Sequence, residues 1–283
     1  MVGEGFDGML GYLVRLFVAG PDDHVVTSRG AYPTFNYHVA GHGGTLHTVP
    51  YSDDHEDPQA LFAKAAAVNA KLVYLANPDN PMGTWHDGAS LGHALDHLPK
   101  GTVLVLDEAY IECAPDGPAP EIDPADPRVV RMRTLYKVYG MAGELVGYAK
   151  GPAPLIDAFN KVRNHFGMNR AAQAGALAAL QDTEYLAQIK DQISAARTRL
   201  ATIADANGLH ALPSATNFVA IDCARDGIFA KAVLDGLIAR GVFVRMPFAA
   251  PQNRCILVSC GTEADLDLFA NALPAALAEA ARG

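Results

Sequence analysis

The sequence predicts an α/β protein, a mixed, mostly parallel sheet flanked by helices, followed by a smaller C-terminal α+β domain. Three observations predict it. Strand-like apolar runs alternate with helix-length segments from residue 8 to residue 151, and such alternation builds a sheet covered on both faces. The clearest run, TVLVLDEAY at 102–110, is apolar, bounded by Gly101 and closed by acids, as a buried strand is. Beyond about residue 168 the alternation gives way to long alanine-rich stretches.

Taken in order, GMLGYLVRLFV at 8–18 has a helical pattern, and the turn GPDD leads to the strand HVVTS at 24–28. A second helix starts near Tyr32, and TLHTVPY at 45–51 reads as a strand. Residues 57–69 are helical, KLVYLAN at 71–77 is a strand of the buried type, and 89–98 is a helix. VVRMRTLY at 129–136 and LVGYAKG at 145–151 are the next strands, after the proline-rich, acidic stretch 113–127, which reads as an exposed loop. Helices at 168–181 and 183–206 follow. Then come the strand-like runs NFVAIDC (217–223), VFVRMP (242–247) and CILVSCG (255–261), with helices at 227–240 and 263–282. The boundary is expected near residue 180, giving domains 1–180 and 181–283.

Bulk composition narrows the function. Half of the 283 residues are hydrophobic and 19% are charged, enough for a packed core. A net charge of −9 argues against nucleic acid as a partner. No run of 18 apolar residues occurs, so no membrane span is expected. Cys113, Cys223, Cys255 and Cys260 form no CxxC pair and read as reduced core residues of a cytoplasmic protein.

Ligands of open α/β sheets bind beyond the carboxyl ends of the strands. Those ends hold a short set: NPDNPMG with Asn77, Asn80 and Gly83; Asp107, Glu108 and Tyr110; Lys137; and Gly3-Glu-Gly5-Phe-Asp7-Gly8 at the first helix. The set is coherent for pyridoxal 5'-phosphate. A lysine amine forms an imine with its aldehyde, a carboxylate keeps the pyridine nitrogen protonated, and helix N–H groups hold an anion.

In that order and spacing, NPDNPMG, LDEAY and TLYKVYGMAGELVGYA resemble the pyridoxal-phosphate-dependent aminotransferases of fold type I, in their histidinol-phosphate aminotransferase-like branch. RGAYPTF, SATNFV and RCILVSCGT also fall in place, so the likeness runs from about Gly3 to the end. It implies the large and small domains of that fold, a homodimer, and amino-group transfer between an amino acid, or an amino-acid-like phosphate ester, and a 2-oxo acid. It further implies Lys137 as the Schiff-base lysine and proton carrier, and Asp107 as partner of the pyridine nitrogen. Asn80 and Tyr110 would bond the ring oxygen, Tyr32 would stack on the ring, and Gly5, Phe6 and Asp7 would bring the helix terminus to the phosphate. Asn217 would stand near the substrate carboxylate.

The chain departs from the family pattern at named positions. Tyr136 stands where the family has serine or threonine facing the phosphate; covering the phosphate is one reading, and drift at a site no longer under need is the plainer one. Leu145 and Leu257 stand where the family has arginines for the phosphate and the substrate carboxylate. Only Met1 and Val2 precede the glycine motif, where the family has an N-terminal segment of several dozen residues. These departures support an alternative: a degenerate or truncated homologue that binds or interacts with little catalysis. A dinucleotide-binding reading of GEGFDG is not expected, because that fingerprint follows a strand. His86, His93 and His97 read as an exposed face rather than a metal site.

Overall fold

A computed structural model describes residues 1–282 except Asp116 and Pro118. The large unit opens with β1 (Val2–Glu4), α1 (Gly5–Phe17), β2 (His24–Ser28), α2 (Pro33–Gly41) and β3 (Thr45–Val49). It continues through α3 (Pro58–Val68), β4 (Leu72–Ala76), α4 (Gly88–Ala94), β5 (Val103–Asp107), β6 (Val129–Thr134) and β7 (Val146–Lys150). The seven strands form one sheet in the order β1-β7-β6-β5-β4-β2-β3. β2 to β6 pair in parallel, whereas β7 runs antiparallel to both β6 and β1.

Strand periodicity decides which helix covers which face. Leu72, Tyr74 and Ala76 of β4, with Val103 and Val105 of β5, pack with Phe6, Met9, Leu10 and Leu13 of α1. The alternate residues Val73, Leu75, Leu104 and Leu106 pack with Leu61 and Phe62 of α3. Asp57 caps α3 by accepting from the Gln59 and Ala60 N–H groups, with Pro58 at its first position. The carboxyl ends of β4, β5 and β6 therefore finish side by side.

The chain then runs through α5 (Ala153–Ala158), α6 (Arg170–Gln181), α7 (Thr183–Ala206), β8 (His210–Ala211), β9 (Phe218–Asp222), α8 (Gly227–Ile238), β10 (Cys255–Ser259) and α9 (Glu263–Ala280). A second sheet, β10-β9-β8, is antiparallel and packs with α7, α8 and α9 around Leu200, Ile221, Leu237, Ile256 and Phe269.

Several expectations need correction. VFVRMP forms no strand; it contributes a single bridge, Arg245 to Leu257, before Pro247 removes a ladder donor. A short strand does precede α1, but it is an antiparallel pairing at the sheet edge, not the central parallel strand that a dinucleotide fold requires. In the 113–127 stretch, Cys113 and Ala114 are buried, while Asp116 and Pro118 lie outside the described residues. Among the described residues, no helix is long and apolar enough to cross a membrane.

Candidate active site

Beyond the ends of β4, β5 and β6 lies a narrow slot lined by Phe6, Tyr32, Asn80, Asp107, Ala109, Tyr110, Tyr136 and Lys137. It opens into a cleft of about 420 Å³, which shares Asn80, Tyr110 and Lys137 and is walled by Asn217, Phe218, Arg245 and Leu257. The structure thus brings together Lys137, Asp107, Asn80, Tyr110, Tyr32, Phe6 and Tyr136, with Asn217 farther out. Gly5 and Asp7 sit on the first turn of α1 behind Phe6.

Asp107 ends β5 on the α1 side of the sheet. Its Oδ1 accepts the Ala109 N–H at 2.8 Å and its Oδ2 accepts the Tyr74 hydroxyl. Burial raises its carboxyl to about 7, against the pull of Tyr74, Ala109 and the Lys137 charge. A carboxyl raised in this way favours a cationic partner, and a protonated pyridine nitrogen would be one. Lys137 is itself largely buried, and burial lowers its amine from the ordinary value, with Asp107 and Asp7 acting the other way. Its Nζ lies 5.1 Å from the centroid of the Tyr110 ring and 5.2 Å from that of Tyr136. A lysine held in this way keeps a larger neutral, nucleophilic fraction than a solvated one.

The flanking residues are held from behind. Tyr110 meets Phe218 edge to face at 5.5 Å. Tyr32 donates to Oδ1 of Asp7 at 2.8 Å, and burial pushes its phenol up to about 12. The turn that carries Asn80 is tied by Asp79, which accepts from the Tyr51 hydroxyl and the Met82 N–H, both at 2.9 Å. Burial pushes Asp79 up to about 7. Glu56 beside it accepts the Ala76 N–H at 2.8 Å, and burial, then the charge of Asp79, raises it as well.

The ring end of the site therefore fits pyridoxal phosphate: a buried amine, a buried carboxylate in want of a cation, and aromatic walls. The anion end is different. Tyr136, Phe6 and Leu145 surround the start of α1, and Lys137 is the one cation among the described residues that line the slot.

Two contributors, Tyr74 and Arg245, escaped the sequence reading, and for Glu108 the sequence showed the residue but not its partners. Tyr74 was detectable, because strand period 2 puts it on the same face as Asp107, two positions back in the β4–β5 register. Arg245 lies on the cleft wall, bridged through its backbone to Leu257, and its charge acts on Lys137. Glu108 is fully buried and bonds Arg131 and Arg133 of β6 at 2.6 and 2.7 Å. His93 and His97 are exposed, as the sequence suggested, but His86 is not part of that face: it is half-buried, with its Nε2 2.7 Å from the Glu56 carbonyl oxygen and its backbone N–H donating to Oδ1 of Asn77.

The model of the family described as aminotransferase class I and II matches residues 1–273. A histidinol-phosphate aminotransferase of Anaeromyxobacter sp. (strain Fw109-5) is 37% identical over 250 residues, covering 87% of this chain and 67% of its own. Histidinol-phosphate aminotransferase 2 of Pseudomonas fluorescens (strain Pf0-1) is 34% identical over 98% of this chain and 74% of its own. The crystal structure of the Sinorhizobium meliloti histidinol-phosphate aminotransferase in complex with pyridoxal-5'-phosphate superposes with a TM-score of 0.95 at 51% identity. That likeness covers 98% of this chain and 76% of the other.

Proposed function

The chain belongs to the aminotransferase class I and II family, and from that premise we propose which of its residues carry the reaction. It is a pyridoxal-phosphate-dependent aminotransferase of fold type I, acting on small-molecule amino acids and 2-oxo acids. The cofactor, when bound, supplies an aldehyde carbon and a protonated ring that draws electrons from the substrate α-carbon.

Lys137 would hold that aldehyde through its amine and would carry the proton at the substrate α-carbon. Its lowered basicity suits both tasks, since a neutral amine attacks and a weakly basic one returns its proton. Asp107 would hold the proton on the ring nitrogen. Asn80 and Tyr110 would donate to the ring oxygen, and Tyr32 and Tyr136 would wall the ring and exclude water. Asn217 and Arg245 orient the substrate's anionic group from the cleft wall. Arg245 thereby takes up part of what Leu257, across its backbone bridge, cannot give. The degenerate-homologue reading is not favoured.

The single observation that carries this assignment is the convergence of Lys137, Asp107, Asn80 and Tyr110 on one slot. Full chain is incubated with pyridoxal phosphate, reduced with borohydride and digested for mass spectrometry. An adduct confined to Lys137, and lost in Lys137→Ala, is expected; labelling spread over surface lysines would sink the assignment. Histidinol-phosphate aminotransferases among the relatives suggest an amino-alcohol phosphate or related amino acid as donor. Arg245→Ala should then raise its KM by roughly one to two decades, the cost of losing a charged hydrogen bond. We also assign residues 1–180 and 181–283 to two domains, and a homodimer in the cytoplasm. Four free cysteines agree with a reducing compartment, and sedimentation of the purified chain tests the dimer.

A further inference from the structure

The first turn of α1 opens into the slot at Phe6, and free N–H groups at a helix start attract anions. In this chain its own side chains cover that start. The Tyr136 hydroxyl faces the Phe6 N–H, and its ring packs into the same apolar cluster as Phe6 and Met9. From the other side Leu145 lies on Gly5: a Cβ added to Gly5 would come within 3.1 Å of the Leu145 carbonyl oxygen and 3.2 Å of its Cβ. Asp7, in the same turn, takes the Tyr32 hydroxyl and adds a negative charge where a phosphate would need a positive one. Lys137 is the one cation among the described slot-lining residues, and the ring end already engages it.

A phosphate dianion entering here has to displace a phenol, gains no guanidinium, and faces Asp7. We propose that this site holds its cofactor by the ring and draws little binding from the phosphate, so that pyridoxal binds nearly as well as its phosphate ester. The proposal rests on the assignment of Lys137 and Asp107 to the ring.

The test is an absorbance titration of the cofactor-free full chain with pyridoxal phosphate and, separately, pyridoxal, each followed by borohydride reduction and peptide mapping. The wild type is expected to prefer the phosphate ester by less than tenfold. Tyr136→Ser uncovers the helix N–H groups, and Leu145→Arg adds a cation beside Gly5 at a position that is already half exposed. Either variant should widen the preference by about ten- to a hundredfold, the usual return from a charge-assisted hydrogen bond. For Leu145→Arg the gain should shrink as salt is raised. If Tyr136→Ser fails to fold, Leu145→Arg carries the test alone. A wild-type preference of tenfold or more, with the adduct on Lys137, overturns this proposal and leaves the ring assignment standing. Unchanged ratios in the folded variants overturn it too. No Lys137 adduct from either aldehyde overturns both readings.

Discussion

At Asp107 two donors, the Ala109 N–H and the Tyr74 hydroxyl, stabilise the ionised carboxylate against its burial. Tyr74 is fully buried and stacks on Phe35 with ring centroids 4.8 Å apart, so its hydroxyl is fixed in direction. Phenylalanine fits the same space and keeps the stack while deleting only that donor. Tyr74→Phe should leave the fold intact and raise the Asp107 pKa further, because one group favouring the charged form is gone. The ring nitrogen then loses part of its counter-charge. Pyridoxal phosphate affinity is expected to drop by about one to two decades, as for a hydrogen bond to a charged group. Spectral titration reads it; a Tyr74→Phe chain that binds like wild type rules out a positioning role for this hydroxyl.

Between Asp107 and Tyr110 the chain is anchored to its neighbouring strand rather than by its own residues alone. Glu108 sends its carboxylate to Arg131 and Arg133 of β6, and its N–H donates to the Met132 carbonyl at 2.8 Å. Thr134 closes the same seam by donating to the Ala109 carbonyl at 3.1 Å. Deleting one partner of a buried ion cluster leaves uncompensated charge and costs about 3–5 kcal/mol. Glu108→Ala should destabilise the chain by that order, measured by urea unfolding, and loosen Tyr110 with it. A change below about 1 kcal/mol would show that the arginines find water instead.

The sheet strands were legible because their apolar runs are long and their ends carry turn residues; β4 matches its expected bounds within one residue, and β5 starts within one residue of its expected start but ends at Asp107, before Glu108, Ala109 and Tyr110. The short pieces were not. β1 and β8 span three and two residues, too few to show a period, and exist only through pairing with distant strands. Asn80, Asp107, Tyr110 and Lys137 of the slot were legible for the same reason as the strands, since each follows a readable strand end; Phe6 follows the unread β1 and was placed by the glycine motif instead. What stands behind them was not: Glu56 and Asp79 meet across 23 positions of sequence, and Arg245 reaches the cleft from the second sheet's side. Side-chain partners of that kind are set by tertiary packing, on which local spacing says nothing.

Over the whole molecule the buried carboxyls set how stability depends on pH. Asp107, Asp79 and Glu56 all have raised pKa values, each chiefly through burial. A carboxyl raised in the native state binds protons more tightly there than in the unfolded chain. Its contribution is therefore full below its ordinary value and fades as the pH rises through its native one. For Asp107 the window runs from 3.8 to about 7, and a shift of that size amounts to at most about 4 kcal/mol. The net charge of −9 pushes the same way by self-repulsion as carboxyls ionise, so the slope of the cofactor-free chain alone would not single out the site. Asp107→Asn does, because asparagine can still meet Ala109 and Tyr74 while carrying no charge. Urea unfolding of the cofactor-free chain at pH 4.5, 6 and 8 should show wild-type stability falling across the series. In Asp107→Asn the fall should be shallower, and the variant should be the more stable of the two at pH 8. Bound pyridoxal phosphate, if its ring nitrogen sets a cation against Asp107 as proposed, should flatten the wild-type slope as well and leave the variant's unchanged. Parallel slopes for wild type and variant would mean that Asp107 is no more burdened by its burial than a surface carboxylate, and the argument for its cationic partner would fall with it.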